Sequence, residues 1–169
     1  MDLNEIKNSL NSNPNLTDIQ DCLMELINLF NSKFPNVDLT NLNERLKTLK
    51  IIKGSKYLVK NSSHYNPITN ELLINLSKID ISDCKHILMR ELLNIITAKD
   101  NYTGFNKDNA FEALNIGYTE RLTNYLVGNE AESEYEDEIV ASNIFERIIG
   151  EDKMFNAYFT NNASLIFEN

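Results

Sequence analysis

In "CKHILMRELLNIITAKD", residues 84–100, Arg90 and Asn94 stand four positions apart with Glu91 between them. On a helix, positions i and i+4 lie one above the other on the same face. Two lone-pair donors at that spacing grip a metal ion, and a carboxylate between them takes a proton from a metal-bound water. Here the residue types deny that chemistry. A guanidinium stays protonated and offers no lone pair, and an amide is a poor substitute for imidazole. The chain has two His, His64 and His86. His86 falls one helical turn before Arg90, and His64 falls in a separate, extended stretch. No Ser-His-Asp or Cys-His arrangement is apparent.

The helix that carries these residues is unusually apolar. Winding residues 84–98 at 100° per residue spreads Cys84, Leu88, Met89, Leu92, Leu93, Ile95 and Ile96 over most of the circumference. One narrow polar stripe remains, made of His86, Arg90, Asn94 and Thr97. A helix of this kind is largely buried, so the stripe must meet water, a cleft or a polar network. Glu91 falls off the stripe, between Ile87 and Ile95, where a carboxylate needs a partner. The next helix, in "FEALNIGYTERLTNYLVG", presents Phe111, Leu114, Tyr118, Leu122, Tyr125 and Leu126 as a core face. Ile116 and Glu120 stack on a different side of it.

Composition bounds what surrounds these helices. With 169 residues, 42% hydrophobic and 24% charged, the chain is expected to form one domain with a real core. A formal net charge of −9 argues against a nucleic-acid partner. The one basic cluster, lysines 47, 50, 53, 56 and 60, reads as a solvated surface. The opening "MDLNEIKNSLNSNPN" has no apolar run behind a positive region, so no signal peptide is expected. No apolar run approaches the ~18 residues of a membrane span. Cys22 and Cys84 are too few for a disulfide scaffold, and the expectation is a reduced, cytoplasmic protein with both as small core residues.

Along the chain, residues 1–16 are polar and read as a flexible segment, with a single domain over 17–169. Thr17 followed by Gln20 signals a helix start, and Pro35 and Asn36 end that helix. "DLTNLNERLKTLKIIKG" reads as a second helix closed by Gly54. Extended runs at Tyr57–Lys60 and Glu71–Leu76, separated by an Asn/Ser/Pro-rich loop, predict a hairpin or a pair of edge strands. Helices follow at about 82–98, 109–127, 136–149 and 152–159. The acidic run "NEAESEYEDE" (129–138) reads as a solvated loop and helix start, without the ligand spacing or sharp Gly turn of a Ca²⁺ loop.

The succession of an extended strand, "RELLNIIT", a Gly-Phe loop, "LNIGYTERLTNYL" and "IVASNIFERIIGEDKMFNAYF" resembles a bacterial family of gluzincin-type zinc metallopeptidases. There the corresponding pieces read approximately HELLHLIS, then LNEGLTEYLT, then a helix ending in IIG before an AYF segment. The resemblance covers roughly 57–167, with three separated segments agreeing in order and spacing. It implies a zincin-like α+β domain, mostly helical, with a small β-hairpin or edge sheet on the former H-E-x-x-H helix and further helices after it. Its two His and the Glu of N-E-G bind Zn²⁺, the Glu between the His is the base, and a carboxylate four residues on supports a ligand. Carried over, the ligand positions hold Arg90, Asn94 and Ile116, the base position keeps Glu91, and the supporting position keeps Glu120.

All three ligands are therefore lost, and no metal or other cofactor is expected. The substitutions are mutually consistent, since Arg90 adds a positive charge where Ile116 removes a negative one. Arg90 is expected to stand in as counter-charge, pairing with Glu120 and also with Glu91. The functional expectation is an inactive metallopeptidase-like protein that binds a peptide or protein in the former cleft, around Leu73, Arg90, Glu91, Asn94, Ile116 and Glu120. Its peptide-accepting edge strand is expected within Glu71–Leu76. Two alternatives stay open: a phage-type acidic inhibitor presenting Glu132, Glu134, Glu136 and Asp137 to a basic partner, and an atypical peptidase.

Overall fold

Among the described residues, which are 2–54, 62–75, 84–128 and 134–167 of a computed structural model, the chain is α+β and mostly helical. The helices are α1 (Leu3–Ser12), α2 (Gln20–Lys33), α3 (Thr40–Leu46), α4 (Cys84–Ile96), α5 (Glu112–Val127), α6 (Glu136–Ile149) and α7 (Glu151–Phe159). A small sheet of β1 (Lys50–Lys53), β2 (Ser63–Asn66) and β3 (Glu71–Ile74) has the order β1-β3-β2. β1 runs parallel to β3, and β2 pairs with β3 antiparallel across a turn at residues 67–70.

Helix α4 is the axis on which the rest is hung. Leu88, Met89, Leu92, Leu93 and Ile95 are almost wholly buried, as an all-round apolar helix requires. α2, α3, α5 and β2 all pack against it. The last carbonyls of a helix lack intrahelical donors, and here side chains supply them. Asn41 Nδ2 donates to the carbonyls of Ile95, Ile96 and Ala98 at 3.2, 3.2 and 2.8 Å. Asn161 Nδ2 donates to Thr97 O at 2.7 Å. The C-terminal end of α4 is thus tied to α3 and to the segment after α7. Phe105, Tyr118 and Tyr158 close the core on the α5 side, with ring centroids 5.2 to 5.9 Å apart.

Several expectations are corrected. Segment 1–16 is not flexible coil: α1 and a 3₁₀ turn at Pro14–Leu16 place Ile6, Leu10 and Leu16 in the core. Asn13 Nδ2 fastens the connection by donating to Leu46 O and Leu49 O at 2.7 and 2.9 Å. Polar composition hid an amphipathic face of only a few large residues. Thr17 does not cap α2, whose first residue is Gln20; its hydroxyl donates to Pro14 O instead.

The second expected helix stops at Leu46, and Lys50–Lys53 become β1. Ile51 and Ile52 are β-branched, and pairing with Leu72 and Leu73 satisfies the backbone that a helix would otherwise have satisfied. The hairpin's first strand is Ser63–Asn66, inside the stretch read as a loop. The run Tyr57–Lys60 lies outside the described residues.

Candidate functional site

β3 occupies the middle of the sheet, with β1 on one side and β2 on the other. The expected edge strand within Glu71–Leu76 is therefore corrected: both sides of Glu71–Ile74 are already paired. Leu73 pairs with His64 on β2 and Ile52 on β1, on the face opposite the buried Leu72 and Ile74. It is not among the residues that line the cleft. Successive side chains alternate between faces, so the hydrophobic core claimed Leu72 and Ile74 and sent Leu73 away from α4.

β1 and β2 are both edge strands, and among the described residues the outer side of β2 is the one that borders a cleft. Asn75 N donates to Ser62 O at 2.9 Å, which sets the alternation of the antiparallel ladder. The Ser62 carbonyl and the backbone groups of His64 and Asn66 turn toward β3, while the Ser62 amide donates to Glu134. The amides and carbonyls of Ser63 and Tyr65 turn the other way. Ser63, His64 and Tyr65 also line a cleft of about 180 Å³, whose floor is Arg90, Glu91 and Asn94 of α4 and whose far wall is Asn115, Ile116 and Thr119 of α5.

Below this cleft lies a buried charged cluster. Arg90, Glu91, Glu120 and His86 are 7, 2, 2 and 7% exposed. Arg90 Nη1 donates to Glu120 Oε1 at 2.8 Å, and Arg90 Nε donates to Glu91 Oε1 at 3.3 Å. Its Nη2 donates to the hydroxyls of Ser62 and Ser63 at 3.0 and 2.7 Å. Ser63 passes the interaction on, donating to Glu91 Oε1 at 2.5 Å. Asn94 Nδ2 donates to the other oxygen, Glu91 Oε2, at 3.1 Å. His86 Nε2 lies 2.8 Å from Glu120 Oε2. The partner that Glu91 required is thus three partners, and the stripe His86-Arg90-Asn94 serves this network rather than water.

Electrostatics follow from that geometry. Burial pushes the Glu120 carboxyl up, but the His86 hydrogen bond and the Arg90 charge outweigh it and hold Glu120 below the ordinary glutamate range. Burial likewise disfavours the Arg90 charge, and Glu91 and Glu120 more than reverse it, so the guanidinium is held more firmly protonated than usual. Tyr135 covers the cluster, its ring 5.5 Å from the Arg90 guanidinium carbon. Burial pushes the Tyr135 phenol up to about 12, with Arg90 pulling the other way. Glu134 Oε2 accepts from the Ser62 amide and hydroxyl at 3.3 Å each and lies 3.9 Å from Arg90 Nη1.

The structure therefore brings Arg90, Glu91, Asn94 and Glu120 together, with half-buried Ile116 on the cleft wall, and leaves out Leu73. Sequence reading missed Ser62, Ser63 and Tyr135, and it named Glu134 only as part of an acidic surface, not of this cluster. Tyr135 carried a signal, as the only aromatic in an otherwise acidic run. Ser62 and Ser63 carried little, since two Ser before a short alternating pair also read as a loop.

The donor set does not fit a divalent cation. Arg90 places a fixed positive charge at the position, Ile116 offers no donor atom, and both oxygens of Glu91 are already hydrogen-bonded. Among the described residues no group of three or more His, Cys, Asp or Glu is arranged to hold a metal. No described helix is long and apolar enough to cross a membrane. Comparison with protein-family models, with curated proteins and with solved structures gave no match.

Proposed function

We propose that this chain is a zincin-like protein that works by binding an extended peptide, or an extended segment of a partner protein, in the cleft beside β2. The observation that carries the reading is the outward direction of the Ser63 and Tyr65 backbone groups, above Glu91 and Asn94 and along a cleft. A strand laid antiparallel or parallel to β2 would exchange backbone hydrogen bonds there, while its side chains met the α5 wall. Glu91, the residue at the position of a catalytic base, is spent on holding Ser63, Arg90 and Asn94. Arg90 stands as the counter-charge to Glu120 and Glu91 in place of a metal, so the site keeps its shape without hydrolytic chemistry.

The acidic-inhibitor reading has less support: of its four carboxylates Glu134 is tied to Ser62 and Arg90, Glu136 and Asp137 are exposed, and Glu132 lies outside the described residues.

Two measurements test the proposal. Calorimetric titration should detect binding of a short peptide of alternating Val and Thr, and N-methylation of alternate backbone amides should abolish it. Equal binding of both peptides, or of neither, defeats the strand-addition reading. The zincin-like origin is tested separately by Arg90→His, Asn94→His and Ile116→Glu together, which should acquire zinc when purified with the metal. A triple variant that stays metal-free would remove the support drawn from the resemblance.

A further inference from the structure

The charges around the cleft do not balance. Among the described residues Arg90 is the one guanidinium there, and it donates to Glu120, Glu91, Ser62 and Ser63. Against it stand Glu91 and Glu120 beneath the floor, Glu134 beside it and Glu112 on the rim. Glu112 opens the first turn of α5, is exposed, and makes no ion pair with another described residue. Among the described residues, a ligand entering the cleft thus meets more carboxylates than guanidinium groups. Low-dielectric walls concentrate the field of those carboxylates into the opening.

From this charge imbalance we infer that the cleft selects an extended peptide carrying a basic side chain, Lys or Arg, directed at Glu112. The inference rests on the strand-binding reading above and adds the chemical class of ligand. The strand edge of β2 supplies backbone affinity, and the rim carboxylate supplies selection at one side-chain position. Acidic peptides are disfavoured by repulsion from these carboxylates.

The test uses the whole chain and three peptides of alternating Val and Thr that differ only in one central residue: Lys, Gln or Glu. Titration at low salt should rank them Lys, Gln, Glu, with Lys roughly three- to tenfold tighter than Gln, as expected for a half-exposed ion pair. The gap should narrow in high salt. Glu112→Gln should bring the affinities of the Lys and Gln peptides together, because the carboxylate that separates them is removed. Equal affinity of the Lys and Gln peptides for the unaltered chain overturns the basic preference and leaves strand binding standing. Failure of all three peptides to bind overturns both. An unchanged gap in Glu112→Gln overturns the assignment to that residue.

Discussion

Arg90 and Glu120 join α4 to α5 through a 2.8 Å hydrogen bond between groups that are 7 and 2% exposed. Neither charge reaches water, so each depends on the other and on the hydroxyls and imidazole around them. Such a pair costs desolvation as well as gaining attraction, and its main yield is a fixed geometry. The consequence is asymmetric. Keeping both charges, or removing both, costs less than removing one.

Arg90→Ala leaves Glu91 and Glu120 buried without their counter-charge and should destabilise the fold by about 3–5 kcal/mol. The double variant Arg90→Ala with Glu120→Gln should cost less than the sum of the two single changes, with a coupling of roughly 1–3 kcal/mol. Urea unfolding of the four proteins decides it. Strict additivity would mean that the two side chains do not interact in solution.

Acid should find the same cluster. Glu120 is held below its ordinary value of 4.5 in the folded chain. The unfolded chain therefore binds more protons as pH falls, and the stabilisation that Glu120 supplies is complete above that value. It is lost as pH drops through the lower, folded value. Glu120→Gln should flatten the stability profile below about pH 4.5 while lowering stability near neutrality. A profile with the same acid slope as the unaltered chain would show that other carboxylates govern the acid limb.

Gly117 sets how closely α5 and α6 approach. A Cβ added there would lie 1.9 Å from the carbonyl oxygen of Glu138, a backbone atom that no rotamer change can move. Gly117→Ala should cost at least about 1–3 kcal/mol by overpacking, and it should displace the start of α6 and with it Tyr135. Loss of Tyr135 cover reads out as a lower phenol ionisation, measured by the 295 nm absorbance difference against Gly117→Ala with Tyr135→Phe. An unaltered stability would mean that α6 has another seat on α5.

What sequence reading recovered and missed divides along physical lines. The helices α4, α5, α6 and α7 are legible because long apolar periodicity survives any tertiary context. α1 is harder: Ile6 and Leu10 alone carry its buried face, and polar neighbours mask so short a signal. β1 is invisible in isolation, because "LKTLKIIKG" satisfies its backbone equally well as helix or strand until β3 is alongside. The pairing of Arg90 with Glu120 and Glu91 was accessible only through the family resemblance, which places the three positions around one site. That Ser62 and Ser63 complete it was not, since it depends on which way β2 faces.

By itself, the sequence determined that positions 90, 91 and 94 ride on a buried helix, that 116 and 120 stack on the next, and that the donors for a metal are missing. The first two need only a repeat of 3.6 residues per turn, and the third is what the family resemblance implies once residue chemistry is applied to it. Tertiary structure alone decided that β3 is central, that β2 offers its backbone to the cleft, and that Leu73 faces away. Strand order and register are set by partners distant in the chain, and a one-residue change in register reverses every face, so no local pattern could have specified them.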